Sequence, residues 1–345
     1  MNGKRNKKSD KFRKLKTIVI VMMLGATLTE ADAQRTSLQQ RAEKADSMLT
    51  LRYYKTAYDT NYVVRPAGKL TLKFRVNQSG NNYHMEGTVN GNDTKSNLKT
   101  DEKTTVSIGA SYRGLSLSLS VNPAKLSGAY KDYEFNCNYY SSRFSFDLSY
   151  LRSESMAGDI EYGDEVVNIT SGDISMKMLY MTGYYVFNHR RFSLPAALSQ
   201  SYVQRHSSGT WLAGFSYQGG SIKTTEALQE RIDIPYIRTY IGHFGIGGGY
   251  GYNLVLGRKW MFHLSILPTL MIYTNNNITI NDEREYARHI QFSVMFNERA
   301  AIVYNFSPRY FTAATFTMNY SVFGNDDVVE NQSKWRARAT FGVRL

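Results

Sequence analysis

From residue 69 to the last position the chain alternates apolar and polar side chains almost without a break. The clearest stretch is Ser333 to Leu345, SKWRARATFGVRL. Trp335, Ala337, Ala339, Phe341, Val343 and Leu345 take every second position, with Lys334, Arg336, Arg338, Thr340, Gly342 and Arg344 between them. Successive side chains of a strand point to opposite faces, so this spacing predicts a strand with one apolar and one cationic face. Leu70, Leu72, Phe74 and Val76 repeat the pattern against Lys69, Thr71, Lys73 and Arg75, and Phe144, Phe146, Leu148 and Tyr150 repeat it against serines and Asp147. The period is two throughout, with no helical period between segments. That predicts an all-β antiparallel sheet.

An apolar face backed by a charged one suits a transmembrane β-barrel, with lipid outside and a polar lumen inside. Connection lengths give a second test. Short ones are expected at 77–82, 113–114, 141–142, 255–259 and 305–309, and long polar ones at 90–103, 152–173, 223–237, 274–288 and 324–332. Outer-membrane barrels alternate short periplasmic turns with long external loops. On this reading the strand at 69–77 descends into its short turn, and the alternating run Tyr54 to Val64 supplies the ascent before it. Phe192 to Gln204 is left out of the wall as an inward-folded or periplasmic piece, because Pro195 removes a ladder donor. The expected fold is a single antiparallel transmembrane barrel of even strand number, about fourteen, with twelve or sixteen as neighbouring solutions. Paired tyrosines near segment ends (Tyr53, Tyr54, Tyr139, Tyr140, Tyr184, Tyr185, Tyr250, Tyr252) mark the expected interfacial girdles. A soluble sandwich would also alternate, but with its apolar face as core.

The amino-terminal segment lies outside this pattern. Eight lysines and arginines precede an apolar run, Thr17 to Leu28, and Ala31-Asp32-Ala33 follows as a small-x-small site. This is the layout of a secretory signal peptide over residues 1–33, cleaved between Ala33 and Gln34. Residues 34–52 hold an expected amphipathic periplasmic helix with the stripe Leu38, Ala42, Ala45, Leu49, and 53–345 form the barrel. The signal segment holds 8 of the 42 basic and 3 of the 29 acidic residues, so the remainder carries 34 against 26, a net +8 in place of +13. Much of the basicity therefore belongs to the signal, which weakens any nucleic-acid reading. One cysteine, Cys137, sits on an apolar strand face and excludes an internal disulfide.

Three stretches carry a resemblance: Arg52 to Pro66 (RYYKTAYDTNYVVRP), Phe192 to Thr224 (FSLPAALSQSYVQRHSSGTWLAGFSYQGGSIKT) and Arg299 to Phe311 (RAAIVYNFSPRYF). They are similar to domain of unknown function 4421, a family of outer-membrane barrels from Bacteroidota. The resemblance implies a location in the outer membrane of a Gram-negative bacterium. It brings no activity, cofactor or site residue.

Candidate chemistry is sparse. The six histidines show no HxxxH spacing and no cysteine pair exists, so no metal and no cofactor is expected. The glycines at 245, 247, 248, 249 and 251 lack a following Gly-Lys-Ser/Thr, and are expected to relieve crowding in a curved strand. For a lipid hydrolase, His206 beside Ser207 and Ser208, or His189 near Ser193, are the available pairs, and no catalytic set is established by sequence. The stronger feature is the cationic face. Lys69, Lys73 and Arg75 on an early strand and Lys334, Arg336, Arg338 and Arg344 on the last should approach one another where the barrel closes. Cations inside a barrel bias it toward anions. The opposing expectation is an interior blocked by salt bridges to Glu86, Glu134 and Asp147. The sequence reading is therefore a passive pore or transporter for small polar or anionic solutes. A lipid hydrolase or an occluded structural barrel is the alternative. Its expected partners are outer-membrane lipid and the barrel-assembly machinery, met through the last strand.

Overall fold

The structure is a computed structural model. It describes residues 58–345 except 67, 69, 90, 113–114, 122–131, 233–234, 282 and 288–291, together with 43–44 and 47–48, which are helical and exposed. The signal site at Ala33 and Gln34, Lys69 and most of the 34–52 helix lie outside the described residues.

Twelve long strands form the wall: β1 Leu70–Val89, β2 Lys103–Tyr112, β3 Leu115–Val121, β4 Tyr133–Tyr140, β5 Phe144–Ser153, β6 Ile174–Val186, β7 Ser208–Thr224, β8 Ile237–Leu256, β9 Trp260–Thr274, β10 Phe292–Asn305, β11 Tyr310–Gly324 and β12 Val328–Arg344. Every described pairing is antiparallel. The ladder runs from β3 through β2, β1, β12, β11, β10, β9, β8, β7, β6 and β5 to β4. Its two ends, β3 and β4, follow one another in the chain and share no register among the described residues, so the described wall is one continuous, strongly curled sheet.

Pairing across the wall follows the sequence period. On β1, Thr71, Lys73, Arg75, Asn77 and Ser79 are buried while Leu72, Phe74 and Val76 are exposed. On β9, His263, Ser265 and Thr269 are buried while Leu264 and Leu270 are about two-thirds exposed. The apolar face is thus the outer one, the reverse of a soluble sandwich. With polar groups inside and hydrocarbon outside, the fold is that of a transmembrane barrel. One acid, Glu298 on β10, shares the outward row. Outward aromatics crowd the lower edge, where Trp211 meets Tyr250, Trp260 meets Tyr304, and Tyr310 meets Phe341. Cys137 faces outward, as expected.

Several expectations need correction. Residues 77–82 are not a turn: β1 continues through them for 20 residues, paired with β12 on one side and with β2 and the Asn92–Lys99 strand on the other. Asn77, Gly80, Asn81 and Asn82 have turn chemistry, but unbroken ladder partners hold them extended, and the indole of Trp335 occupies the space beside Gly80. With one strand where two were expected, β1 ascends and no preceding ascent is required. Residues 58–64 accordingly form no wall strand; Val63–Val64 pairs only with Val203–Gln204. Among the described residues the wall strands therefore number twelve, one of the neighbouring solutions expected. Residues 324–332 are no long loop, since β11 and β12 pair up to Gly324 and Val329. Of the paired tyrosines, Tyr140 and Tyr184 point inward, because adjacent strand residues must face opposite sides. Glu86 is exposed on the outer face near the top of β1.

The demotion of 192–204 holds. After β6 the chain turns inside and forms a short helix, α1 Leu194–Leu198, capped by Ser193 and entirely buried. Phe192, Leu194, Ala196, Ala197, Leu198 and Tyr202 pack against Val63, Leu212, Met261, Leu267 and Val303. This segment, 187–207, is a plug across the lower end of the lumen. Residues 58–65 brace it from below, with Asp59 N–H bonded to Arg190 O and Arg205 N–H to Tyr62 O. A second apolar cluster around Met156, Met176, Met178 and Leu228 fills the upper end, where α2 Glu226–Ile232 closes over the barrel.

Candidate functional site: a cationic chamber inside the barrel

Strands β1 and β12 are directly paired, so the predicted cations do converge. Register sets Gly342 opposite Lys73, Thr340 opposite Arg75, Arg338 opposite Asn77, and Arg336 opposite Ser79. The inward rows of the two strands form one column down the lumen wall, from Lys334 above to Arg344 below.

Each cation has a different environment. Lys334 pairs with Glu134 at 2.9 Å, donates to Ser149, and lies 5.0 Å from the Tyr180 ring. Arg338 Nε donates to Asn77 Oδ1 at 2.7 Å. Arg344 donates to Asn305 and stacks over Phe311 at 4.4 Å. Lys73 donates to Ser111 Oγ at 2.8 Å and to the plug carbonyl of Ser199 at 2.5 Å. Arg75 Nε is buried without an acceptor among the described residues. Arg336 makes no hydrogen bond or ion pair with any described residue, and its side chain lines the central cavity.

The carboxylates beside the chamber, Asp147 and Glu134, are already occupied, and Glu330, higher in the same inward row of β12, accepts from Tyr83. Asp147 accepts from Asn138, Tyr140 and Arg299, each at 2.5 Å. Glu134 accepts from Ser79, Asn136 and Ser149 besides Lys334. Lys73, Arg75, Arg336, Arg338 and Arg344 therefore form no ion pair with a described carboxylate, although Glu134 acts electrostatically on Arg336 and Asp147 on Arg338. Burying charge without an ion-pair partner is costly, so a cationic column with so few acids in contact favours an anion among these side chains. Between the column and β4, β5, β6, β10 and β11 lies a polar cavity lined by Arg299, Thr315, Thr317, Asn319, Arg336 and Arg338 among others. About 40 Å³ of it is open to the centres of water molecules. A single water needs ~10–15 Å³ by this measure, so the chamber holds a few waters.

Arg299, which completes this chamber, went unrecognised as a site residue. Its signal is that it is the one cation of the inward row Ser293, Met295, Asn297, Arg299, Ala301, Val303. The suggested serine–histidine pairs do not form. His189 accepts from Arg143 at a lower turn, and Ser193 bonds Tyr58 and caps α1. Ser207 accepts from Val255 N–H, and Ser208 from Asn188.

A family model described as "Domain of unknown function (DUF4421)" matches residues 57–345. The chain belongs to this family. The DUF4421 match spans the whole described wall and includes residues 58–66, which brace the plug. No curated protein matches the sequence. Among solved structures, the chain is similar to the outer membrane protease OmpT from Escherichia coli, with 8% identity over 81% of this chain and 97% of that one, and a TM-score of 0.44. It is also similar to the outer membrane protein OprG from Pseudomonas aeruginosa (10% identity, 82% and 98% covered, TM-score 0.29). A third is the COG4313 outer membrane channel from Pseudomonas putida F1 (10% identity, 83% and 99% covered, TM-score 0.27).

Proposed function

We propose that this DUF4421 barrel is exported to the outer membrane of a Gram-negative bacterium, where it admits small anions through a lumen that the 187–207 plug closes in the present conformation. The carrying observation is the cationic column of β1 and β12, five of whose members form no ion pair with a described carboxylate. A barrel built only for rigidity gains nothing from unpaired buried cations, whereas a pathway for anions needs them. Export through the signal segment, surrounding lipid and assembly through β12 belong to the same reading.

The test is planar-bilayer conductance of the refolded protein and of Lys73→Met, which frees the plug from β1. The expected result is rare openings in the parent, frequent ones in the variant, and anion preference lost in Arg336→Glu/Arg338→Glu. Silence of the plug-released variant would remove the reading. The second reading, an occluded structural barrel, draws on the Lys334–Glu134 and Arg299–Asp147 pairs and predicts that silence.

A further inference from the structure

A separate polar cluster lies below the chamber, against the plug. His263 and Ser265 are two residues apart on β9 and so share its inward face. Ser265 Oγ lies 3.0 Å from His263 Nε2, and His263 Nδ1 lies 2.7 Å from Asn253 Oδ1. Asn253 sits opposite His263 because the tight turn after Leu256, with Gly257 at φ 61°, fixes the β8–β9 register.

The histidine tautomer follows from the amide. Asn253 Nδ2 donates to Ser193 O and to Gln204 Oε1, each at 3.1 Å. Its Oδ1 therefore faces the imidazole and must accept, which places the proton on His263 Nδ1. Nε2 is left with a lone pair directed at Ser265, whose hydroxyl donates. That is the order of nucleophile, base and orienting group used for acyl transfer.

Two neighbours extend the arrangement. Arg299 is the cross-strand partner of Ser265 on β10, and its Nε–H is buried without an acceptor among the described residues. On the other side the partner is Gly251. A Cβ on Gly251 would lie 3.1 Å from Ser265 Cβ and 3.2 Å from Phe192 Cζ. The tip of the Phe192 ring thus fills the space beside the serine, and the ring is 6.0 Å from that of His263.

We infer that Ser265 is a latent nucleophile toward carboxylic esters, with His263 as general base and Asn253 as its positioning residue, uncovered when the plug withdraws Phe192. Ser265 Oγ attacks the carbonyl carbon while its proton passes to His263 Nε2, and the Arg299 Nε–H meets the negative oxygen. The ester C–O bond then breaks, and Nε2 returns the proton to the departing alcohol. Water hydrolyses the acyl-serine by the same route and releases the carboxylic acid. None of these steps depends on anion passage.

The experiment uses refolded full-length protein in detergent with a fluorophosphonate probe, its folded state checked by heat-modifiable migration. Phe192→Ala is expected to label at Ser265 faster than the parent. In that background Ser265→Ala abolishes labelling, and His263→Ala slows it by ~10²-fold or more, the usual size of a general-base contribution. Asn253→Ala also slows it. Asn253→Asp restores it and moves the midpoint of its pH–rate profile upward, because a carboxylate stabilises the imidazolium. A network that only anchors the plug gives no labelling in folded Phe192→Ala, or labelling indifferent to Ser265→Ala. Either result overturns the inference.

Discussion

The Nζ of Lys73, on the first wall strand, donates to the backbone carbonyl of Ser199, just beyond the buried helix of the plug. A fully buried ammonium with no carboxylate partner is thus spent on holding the plug to the wall. Hydrogen bonds to a charged group contribute ~1.5–3 kcal/mol, so Lys73→Met is expected to raise the open fraction roughly tenfold or more. Protease cleavage within 187–207, together with single-channel open probability, reads this directly. Unchanged cleavage would mean the apolar packing of Phe192 and Leu194 suffices alone.

Glu134 and Lys334 form a buried pair, with side chains 11% and 3% exposed. Breaking such a pair strands a charge and costs ~3–5 kcal/mol. Glu134→Gln should therefore lower the heat-modification midpoint sharply. The double change Glu134→Leu/Lys334→Met should lower it far less, and a double-mutant cycle measures the difference.

At the upper rim, Asp132 ties β4 to β2 and β5. Burial pushes its carboxyl up. Hydrogen bonding from Ser155, the Lys103 ammonium, the Glu154 N–H and the Ser153 hydroxyl together outweigh that and hold it below its ordinary value of 3.8. Its folded pKa is depressed, so its contribution is fully present above 3.8 and is lost as pH falls through the folded value. Protease access to the loops of the upper rim should rise in strong acid for the parent, and Asp132→Asn should show that access already at neutral pH.

The outer band can be tested by depth. Ile266 faces outward near the middle of β9. Ile266→Arg is expected to cost ~2–4 kcal/mol in lipid, falling toward zero for the same change at an interface position. Equilibrium unfolding from vesicles in urea gives the comparison.

The period of two made most of the wall legible: face assignment on β1, β5, β9 and β12, the cationic column, and the exclusion of 192–204 all came from alternation and Pro195. The strand number was legible only as a range that included twelve, because Asn77, Gly80 and Asn82 carry turn chemistry that only their partner strands override. Adjacent tyrosines at 139–140 and 184–185 looked like girdle residues, although parity alone requires one of each pair to point inward. The Ser265–His263–Asn253 cluster was within reach, since a turn at 257–259 sets 253 opposite 263. What no pattern supplied was the plug packed against it, whose contacts join residues far apart in sequence. Arg336 is the opposite case. Its inward position is plain from spacing, but its lack of a partner depends on Asp147 and Glu134 being satisfied by others.

Register between β1 and β12 has a consequence for how the molecule is made. Their ladder joins Thr71 to Arg344 and Gly87 to Val328, residues separated by most of the barrel. Closing it is the most non-local event in the fold, and loops that long close late. By then the plug, encoded between β6 and β7, has its own local hairpins to dock against. The last seam therefore shuts around an interior already loaded, and a plug left outside would face a completed wall.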